Sequence, residues 1–187
     1  MKKIILGSLG AVLIASAANA SEHGFILSTG AEIFGSAEIK TKVEGFSPET
    51  EKSTDINGSG GFSLGYGNNK VMGAVSFSRS SDDLTSMNEF SVGGSFAFTN
   101  DTVTPYVSAS VGIVSLNIDE DVFGEEISAT GFTYGIGVGV QYNMTDKTNL
   151  KVGLVYSGLS LSDEVYGYDV DVTGSNIGLV TSISVRF

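Results

Sequence analysis

Residues 132–142 read FTYGIGVGVQY. Phe132, Tyr134, Ile136, Val138, Val140 and Tyr142 share one parity, and Thr133, Gly135, Gly137, Gly139 and Gln141 share the other. Successive side chains of a β-strand point to opposite sides, so period two marks a strand with two unlike faces. One face here is wholly apolar and the other is small and uncharged. A soluble sheet would carry charged, wet residues on its polar face. Small residues instead suit the crowded inside of a narrow tube, which leaves the apolar face on the outside.

The alternation continues in both directions. The first segment sets Phe25, Leu27, Ala31, Ile33, Ala37, Ile39 and Val43 against Ser28, Glu32, Ser36, Glu38 and Lys40. A second sets Ile56, Phe62, Leu64 and Tyr66 against Asn57, Ser59, Gly61 and Ser63; a third places Val71, Val75 and Phe77 outward. The fourth opposes Phe90, Val92, Phe96 and Phe98 to Glu89, Ser91, Gly93 and Ser95, and the fifth Val107, Ala109, Val111 and Ile113 to Ser108, Ser110 and Gly112. After the opening stretch, Leu150, Val152, Leu154 and Tyr156 oppose Lys151, Gly153, Val155 and Ser157; a last segment carries Ile177, Leu179, Thr181, Ile183, Val185 and Phe187 on one face and Asn176, Gly178, Val180, Ser182, Ser184 and Arg186 on the other. These are eight segments of about 10–14 residues, long enough when tilted to cross a bilayer's hydrocarbon layer. A closed barrel also satisfies every backbone hydrogen bond within lipid. The pattern predicts an all-β fold, an eight-stranded antiparallel up-and-down transmembrane β-barrel.

The ends and the composition agree. Met1-Lys2-Lys3 is basic, the apolar run from Ile4 to Ala17 is 14 residues long, and Ala18-Asn19-Ala20 precedes Ser21. This is the pattern of a secretory signal cleaved after Ala20, and the run is shorter than the roughly 20 residues of a spanning helix. Residues 21–187 are then the barrel domain, delivered to the cell outer membrane. The chain has no cysteine, which excludes disulfides and a lipid-modified N-terminal cysteine. It has 21 acidic and 10 basic residues, and loss of Lys2 and Lys3 leaves a net charge of −13, which closes the nucleic-acid-binding class.

The connectors alternate in length. Those at 67–70, 99–102 and 143–148 are short; those at 45–55, 81–86, 117–128 and 162–174 are mostly longer and acidic. Short turns suit a confined periplasmic side and long loops an open outer one. Phe25, Tyr66, Phe98, Tyr142 and Phe187 then fall at the periplasmic rim as an aromatic girdle. Phe187 is the end of the closing strand, lipid-facing.

The sequence also resembles a known family. TPYVSASVGIVSL (104–116), GFTYGIGVGVQYNMTDKTNLKVGLVYS (131–157) and SISVRF (182–187) look like the small outer-membrane β-barrels of the opacity-protein and OmpA-type group. The resemblance spans the mature chain and rests on Pro-Tyr opening the fifth strand, Gly-x-Gly-x-Gly in the sixth and a terminal Phe. It implies insertion by the barrel-assembly machinery. Without a peptidoglycan-binding domain after the barrel, cell-wall tethering is not implied.

Other motifs have plainer readings. GIGVGV (135–140) lacks the spacing and the following helix of a nucleotide-binding loop, so its glycines read as inner-wall packing. DEDVFGEE (119–126) matches a calcium-loop template at Asp119, Asp121 and Gly124 but fails at Phe123 and at Thr130, so it reads as a solvated, self-repelling loop. Fourteen of the 21 carboxylates fall in the long connectors, an anionic crown that Mg²⁺ or Ca²⁺ would bridge to lipopolysaccharide. Arg79, with outward parity, is the first candidate to meet a lipopolysaccharide phosphate, followed by Lys40 and Lys42. Glu32, Glu38, Glu89, Lys151 and Arg186 have lumen parity and are expected to pair in a network that plugs the tube, since unpaired burial of charge costs several kcal/mol.

His23 is the single histidine and precedes the first strand, so no Ser-His-acid or Asp-His site can be built at the outer end. No catalytic residue, cofactor or metal site is assigned. The function expected is that of a non-enzymatic surface barrel with an adhesive or envelope role, its loops meeting lipopolysaccharide, cations, or a host or cell-surface partner. The alternative is a narrow, low-conductance pore for ions or small solutes.

Overall fold

The computed structural model describes residues 23–43, 49–53, 57–81, 85–118, 127–165 and 168–187. The expected signal segment and the acidic stretch 119–126 lie outside them, as do Asp55, Asp82 and Asp83. The strands are β1 (Gly24–Val43), β2 (Glu49–Ser53), β3 (Asn57–Gly67), β4 (Val71–Ser81), β5 (Thr85–Ala97), β6 (Val103–Ile118), β7 (Ile127–Asn143), β8 (Thr148–Val165) and β9 (Tyr168–Arg186). Neighbours pair antiparallel in chain order, and β1 also pairs with β9, so the sheet closes on itself. Both β2 and β3 pair with β1, one beyond the other, and together fill one position in the wall. The result is a closed eight-stranded antiparallel barrel, as the alternation predicts.

The closure fixes the bore. Cross-strand partners lead from Ile26 through Gly65, Ala74, Gly93, Ser110, Gly135, Ser157 and Asn176 back to β1 at Ala37, eleven residues further on. One of those eleven is absorbed by a bulge between Phe34 and Ser36, leaving a stagger of ten. Eight strands with such a stagger tilt by roughly 40° and enclose a tube that side chains alone can fill. Between its two ends that circuit holds only Gly, Ala, Ser and Asn.

Where larger residues enter the tube, glycines face them. The Tyr106 side chain reaches from β6 across Gly139 and Gly153: a Cβ at Gly139 would lie 2.8 Å from its ring, and one at Gly153 2.5 Å from its hydroxyl. The alternating glycines of the opening stretch are thus partly the imprint of an aromatic side chain on the neighbouring strand. At the β3–β4 hairpin Gly67 has φ +155°, and both the Lys70 and Val71 amides donate to Asn68 Oδ1, at 2.9 and 2.7 Å. Glycine supplies the unusual dihedral and asparagine the turn.

Two expectations are corrected by the pairing. Among the described residues, parts of the long connectors are strand: 162–165 and 168–174 form the facing ends of β8 and β9, paired as far as Val165 and Tyr168, and 45–55 contains β2. Alternating β-branched and aromatic residues (Val165, Tyr168, Val170, Val172) suit a pleated ribbon, and pairing satisfies the backbone of a segment whose acidic composition reads as loop. The second correction concerns β1. Beyond the bulge its faces exchange, because one inserted residue shifts the period-two phase. Glu38, expected in the lumen, therefore lies on the outer face.

Gly139→Val is expected to lower stability by about 1–3 kcal/mol through overpacking. It should appear as a lower urea midpoint for the folded, heat-modifiable form on gels. An unchanged midpoint would contradict the close packing of Tyr106 on β7.

Candidate functional site

The lumen is layered. Its floor, near the short turns, is made by Tyr106, Gln141 and Lys151, all buried. Lys151 Nζ donates to Ser95 Oγ at 2.5 Å and lies 5.4 Å from the Tyr106 ring centroid. Gln141 Nε2 donates to the Asn69 carbonyl at 2.8 Å and to Asn143 Oδ1 at 2.7 Å; Asn143 Nδ2 donates to the Asp101 carbonyl at 2.7 Å. These amides tie together the three short turns. Below them an open vestibule of about 550 Å³ is lined by His23, Asn68, Asn100 and Arg186, among others.

Above the floor is a cavity of about 70 Å³ whose lining includes eight serines, with Tyr106 and Lys151 at its base. That is room for a few waters. Higher still sit Glu32 and Glu89, at 0% and 2% exposure, close enough to interact as like charges. Over them Met87, Val114, Leu116, Leu159 and Leu161 form a buried apolar cluster, with Ala129 and Val172 packed against it. This roof closes the tube toward the long hairpins.

The outer surface is layered too. Phe25, Tyr66, Phe98, Tyr142 and Phe187 are exposed and outward at the short-turn end. Phe25 and Tyr66 meet edge to face at 5.6 Å, and the Phe187 amide donates to the Phe25 carbonyl at 2.8 Å. A second aromatic level, Phe90, Phe132, Tyr134 and Tyr156, lies near the other end of the apolar band. Phe98 to Phe90, like Tyr142 to Tyr134, is eight residues, or about 20 Å of height for tilted strands. Tyr134 covers Gly158, where a Cβ would sit 2.5 Å from its ring. Arg79 is outward and exposed, two residues above Phe77 and paired with Asn88.

The five expected lumen charges do not form one network. Glu32 and Glu89 lie in the upper tube, whereas Lys151 is held at the floor. Arg186 lies at the vestibule, its guanidinium donating to the Asp146 carbonyl at 2.5 Å. The stagger separates them: positions of one parity on different strands stand at different heights. Glu38 is ion-paired with Lys40 at 3.2 Å on the outer face, and Lys42 shares that face. Among the described residues no group of three or more His, Cys, Asp or Glu side chains comes together.

The roof has no counterpart among the sequence expectations, yet it leaves a trace. On β6 the apolar residues change parity after Ile113, to Val114 and Leu116, and on β8 after Tyr156, to Leu159 and Leu161.

A family model described as the outer membrane protein β-barrel domain matches residues 4–182. The chain belongs to this family. It is an outer-membrane protein of Gram-negative type, and the apolar band is its lipid-facing wall. Outer membrane protein PagN of Salmonella typhimurium strain LT2 is 29% identical over 119 residues, 54% of this chain and 50% of PagN. The chain thus spans about half the length of the curated relative it matches. The crystal structure of Neisserial surface protein A superposes with a TM-score of 0.57 at 20% identity, covering 88% of this chain and 97% of that one, and shares the barrel fold.

Because floor and roof both seal the tube, the refolded outer-membrane barrel is expected to give no discrete openings in a planar bilayer. Removing the roof alone with Leu116→Ser and Leu159→Ser should leave it silent. Adding Tyr106→Ala joins the cavity to both sides, and conductance steps should then appear.

Proposed function

We propose that this protein is a non-enzymatic surface barrel whose working part is the set of hairpins raised above the outer leaflet. The observation that carries this reading is the apolar roof. Above this roof stand the upper parts of the strands. Glu49, Glu51, Asp163, Glu164, Asp169 and Asp171 belong to these upper strands. They give the exterior end an acidic character, which the segment 119–126 continues in sequence. Contacts with a cell-surface or host partner, or with divalent cations shared with lipopolysaccharide, fit that chemistry. The narrow-pore alternative has the serine-lined cavity in its favour, but Tyr106 and Lys151 occupy its base and the apolar cluster lies above it.

The barrel is anchored at the same level. Arg79 stands where the apolar band gives way to Ser81 and Asn88, at the depth of lipid phosphate, and its planar guanidinium suits bidentate phosphate binding. Lys40 and Lys42 are secondary contacts, Lys40 being already engaged by Glu38. Membrane insertion by the barrel-assembly machinery fits the aromatic ending of β9, with Phe25, Tyr66, Phe98, Tyr142 and Phe187 as the periplasmic girdle.

Two measurements test this. Deleting residues 119–126 is expected to abolish adhesion of barrel-coated beads to cells while leaving heat-modifiable mobility intact; undiminished adhesion would remove that segment as the contact. Arg79→Glu is expected to weaken lipopolysaccharide binding roughly tenfold, the loss of one charge-assisted contact, with no change in folding.

A further inference from the structure

Lys151 carries its charge into the bore without a carboxylate to meet it. The residue is 7% exposed, and among the described residues its ammonium makes two contacts, a bond donated to Ser95 Oγ at 2.5 Å and the Tyr106 ring at 5.4 Å. Neither partner is an anion. The sequence around it supplies none either. The neighbouring inward positions on β8 are Asn149 and Gly153, and the direct cross-strand partners are Gln141 on β7 and Ser182 on β9. The lumen acids stand on another level: Glu89 is six residues above Ser95 on β5, about 15 Å of height for a tilted strand.

The ammonium lies at the base of the cavity of about 70 Å³ lined by eight serines, and that lining holds an excess of hydrogen-bond donors. An ammonium has three, of which Ser95 takes one. Ser95 accepts that bond, so its own proton is left to donate. Ser28 and Ser184 share one bond at 2.8 Å, which leaves one proton of that pair over. The backbone groups of the wall are engaged in the ladders of the closed sheet.

Such a lining selects its ligand. One buried positive charge is balanced by one negative charge, so a monovalent anion leaves this low-dielectric space neutral and a divalent oxyanion does not. Rotatable hydroxyls and an ammonium act without the planar fork of a guanidinium, which suits a spherical ion rather than a carboxylate or phosphate. The volume takes one such ion with water beside it.

We propose that the lower lumen is a halide site, occupied by one chloride ion held against the Lys151 ammonium by the hydroxyls of Ser95 and Ser184, with water completing its shell. The ion gives Lys151 the counter-charge that the wall lacks, and it ties β8 to β5 and β9 across the bore. This site is separate from the acidic hairpins, and its failure would leave the surface role untouched.

The test is to refold the full barrel in detergent in sodium gluconate, whose anion is too large for the cavity. Chloride then replaces gluconate at constant ionic strength while the urea midpoint of the heat-modifiable form is followed. The midpoint should climb with chloride as binding to one site requires, and bromide should substitute for it. Lys151→Met should abolish the dependence, and in gluconate its midpoint should equal or exceed that of the unaltered barrel, because an uncompensated buried charge is gone. Ser95→Ala should raise the half-effective chloride concentration about tenfold, the loss of one charge-assisted hydrogen bond, and it serves alone if Lys151→Met fails to reach the heat-modifiable form. Crystals grown in bromide should show an anomalous peak in the cavity, in contact with Lys151 Nζ. A midpoint indifferent to the choice of anion, a chloride response unchanged in Lys151→Met or in Ser95→Ala, or a cavity without the bromide peak would each overturn the site.

Discussion

Lipid offers no hydrogen-bond partner to a peptide group, and the rest of this structure follows from that. A sheet in hydrocarbon must close, since an open edge would leave a row of unpaired amides and carbonyls, each costing several kcal/mol. Closure with eight strands and a stagger of ten gives a narrow tube that a few side chains fill at each level. The inner wall is therefore Ser, Gly and Ala wherever nothing large is needed. Where Tyr106 lies along the inner wall, the positions beneath it on the next two strands are the glycines 139 and 153. Glycine is a poor strand former in general, but here packing geometry overrides intrinsic preference.

The second consequence is a reversal of faces. Within the membrane the outside is apolar and the inside polar. Above it, water bathes the outer face and the ordinary soluble rule returns, with apolar residues inside. Three strands make the change by altering their sequence phase: β5 at Met87, β6 at Val114 and Leu116, β8 at Leu159 and Leu161. β1 makes it in the backbone. Its apolar residues keep the same sequence parity on both sides, in Ala31 and Ile33 and then in Ala37, Ile39 and Val43, and the bulge between Phe34 and Ser36 exchanges the faces. Thr41, opposite Val172, then takes the inward phase, and Glu38, Lys40 and Lys42 the outward one.

That difference explains what could be read from the sequence. Strand number, the lipid-facing residues and the lower aromatic level depend only on period two, which residues 132–142 display without interruption. The roof was legible in principle, in the parity change after Ile113 and Tyr156. The bulge left only a faint mark, since Phe34 and Gly35 break the alternation for two residues between stretches that share one apolar parity. Nor could parity place charges along the bore. Glu32, Glu89 and Lys151 all face inward, but their heights depend on a register that only pairing across the whole barrel defines. The upper hairpins escaped notice for another reason: acidic composition reads as loop, while strand pairing there is carried by the backbone.

The two ends of the barrel are built to different ends. At the periplasmic mouth, short turns are stitched together by Gln141, Asn143 and Arg186 through bonds to the backbone carbonyls of Asn69, Asp101 and Asp146. Side chain-to-carbonyl bonds of this kind fix turns relative to one another whatever the solvent-facing residues are. At the other end the roof does the same work from inside, by apolar packing of Met87, Val114, Leu116, Leu159 and Leu161. A barrel sealed in this way can change its exposed hairpins freely while its wall stays as it is. Arg79 and Lys40 illustrate the boundary: Arg79 stands on the outer face two residues above Phe77, whereas Lys40, beyond the bulge, is ion-paired with Glu38.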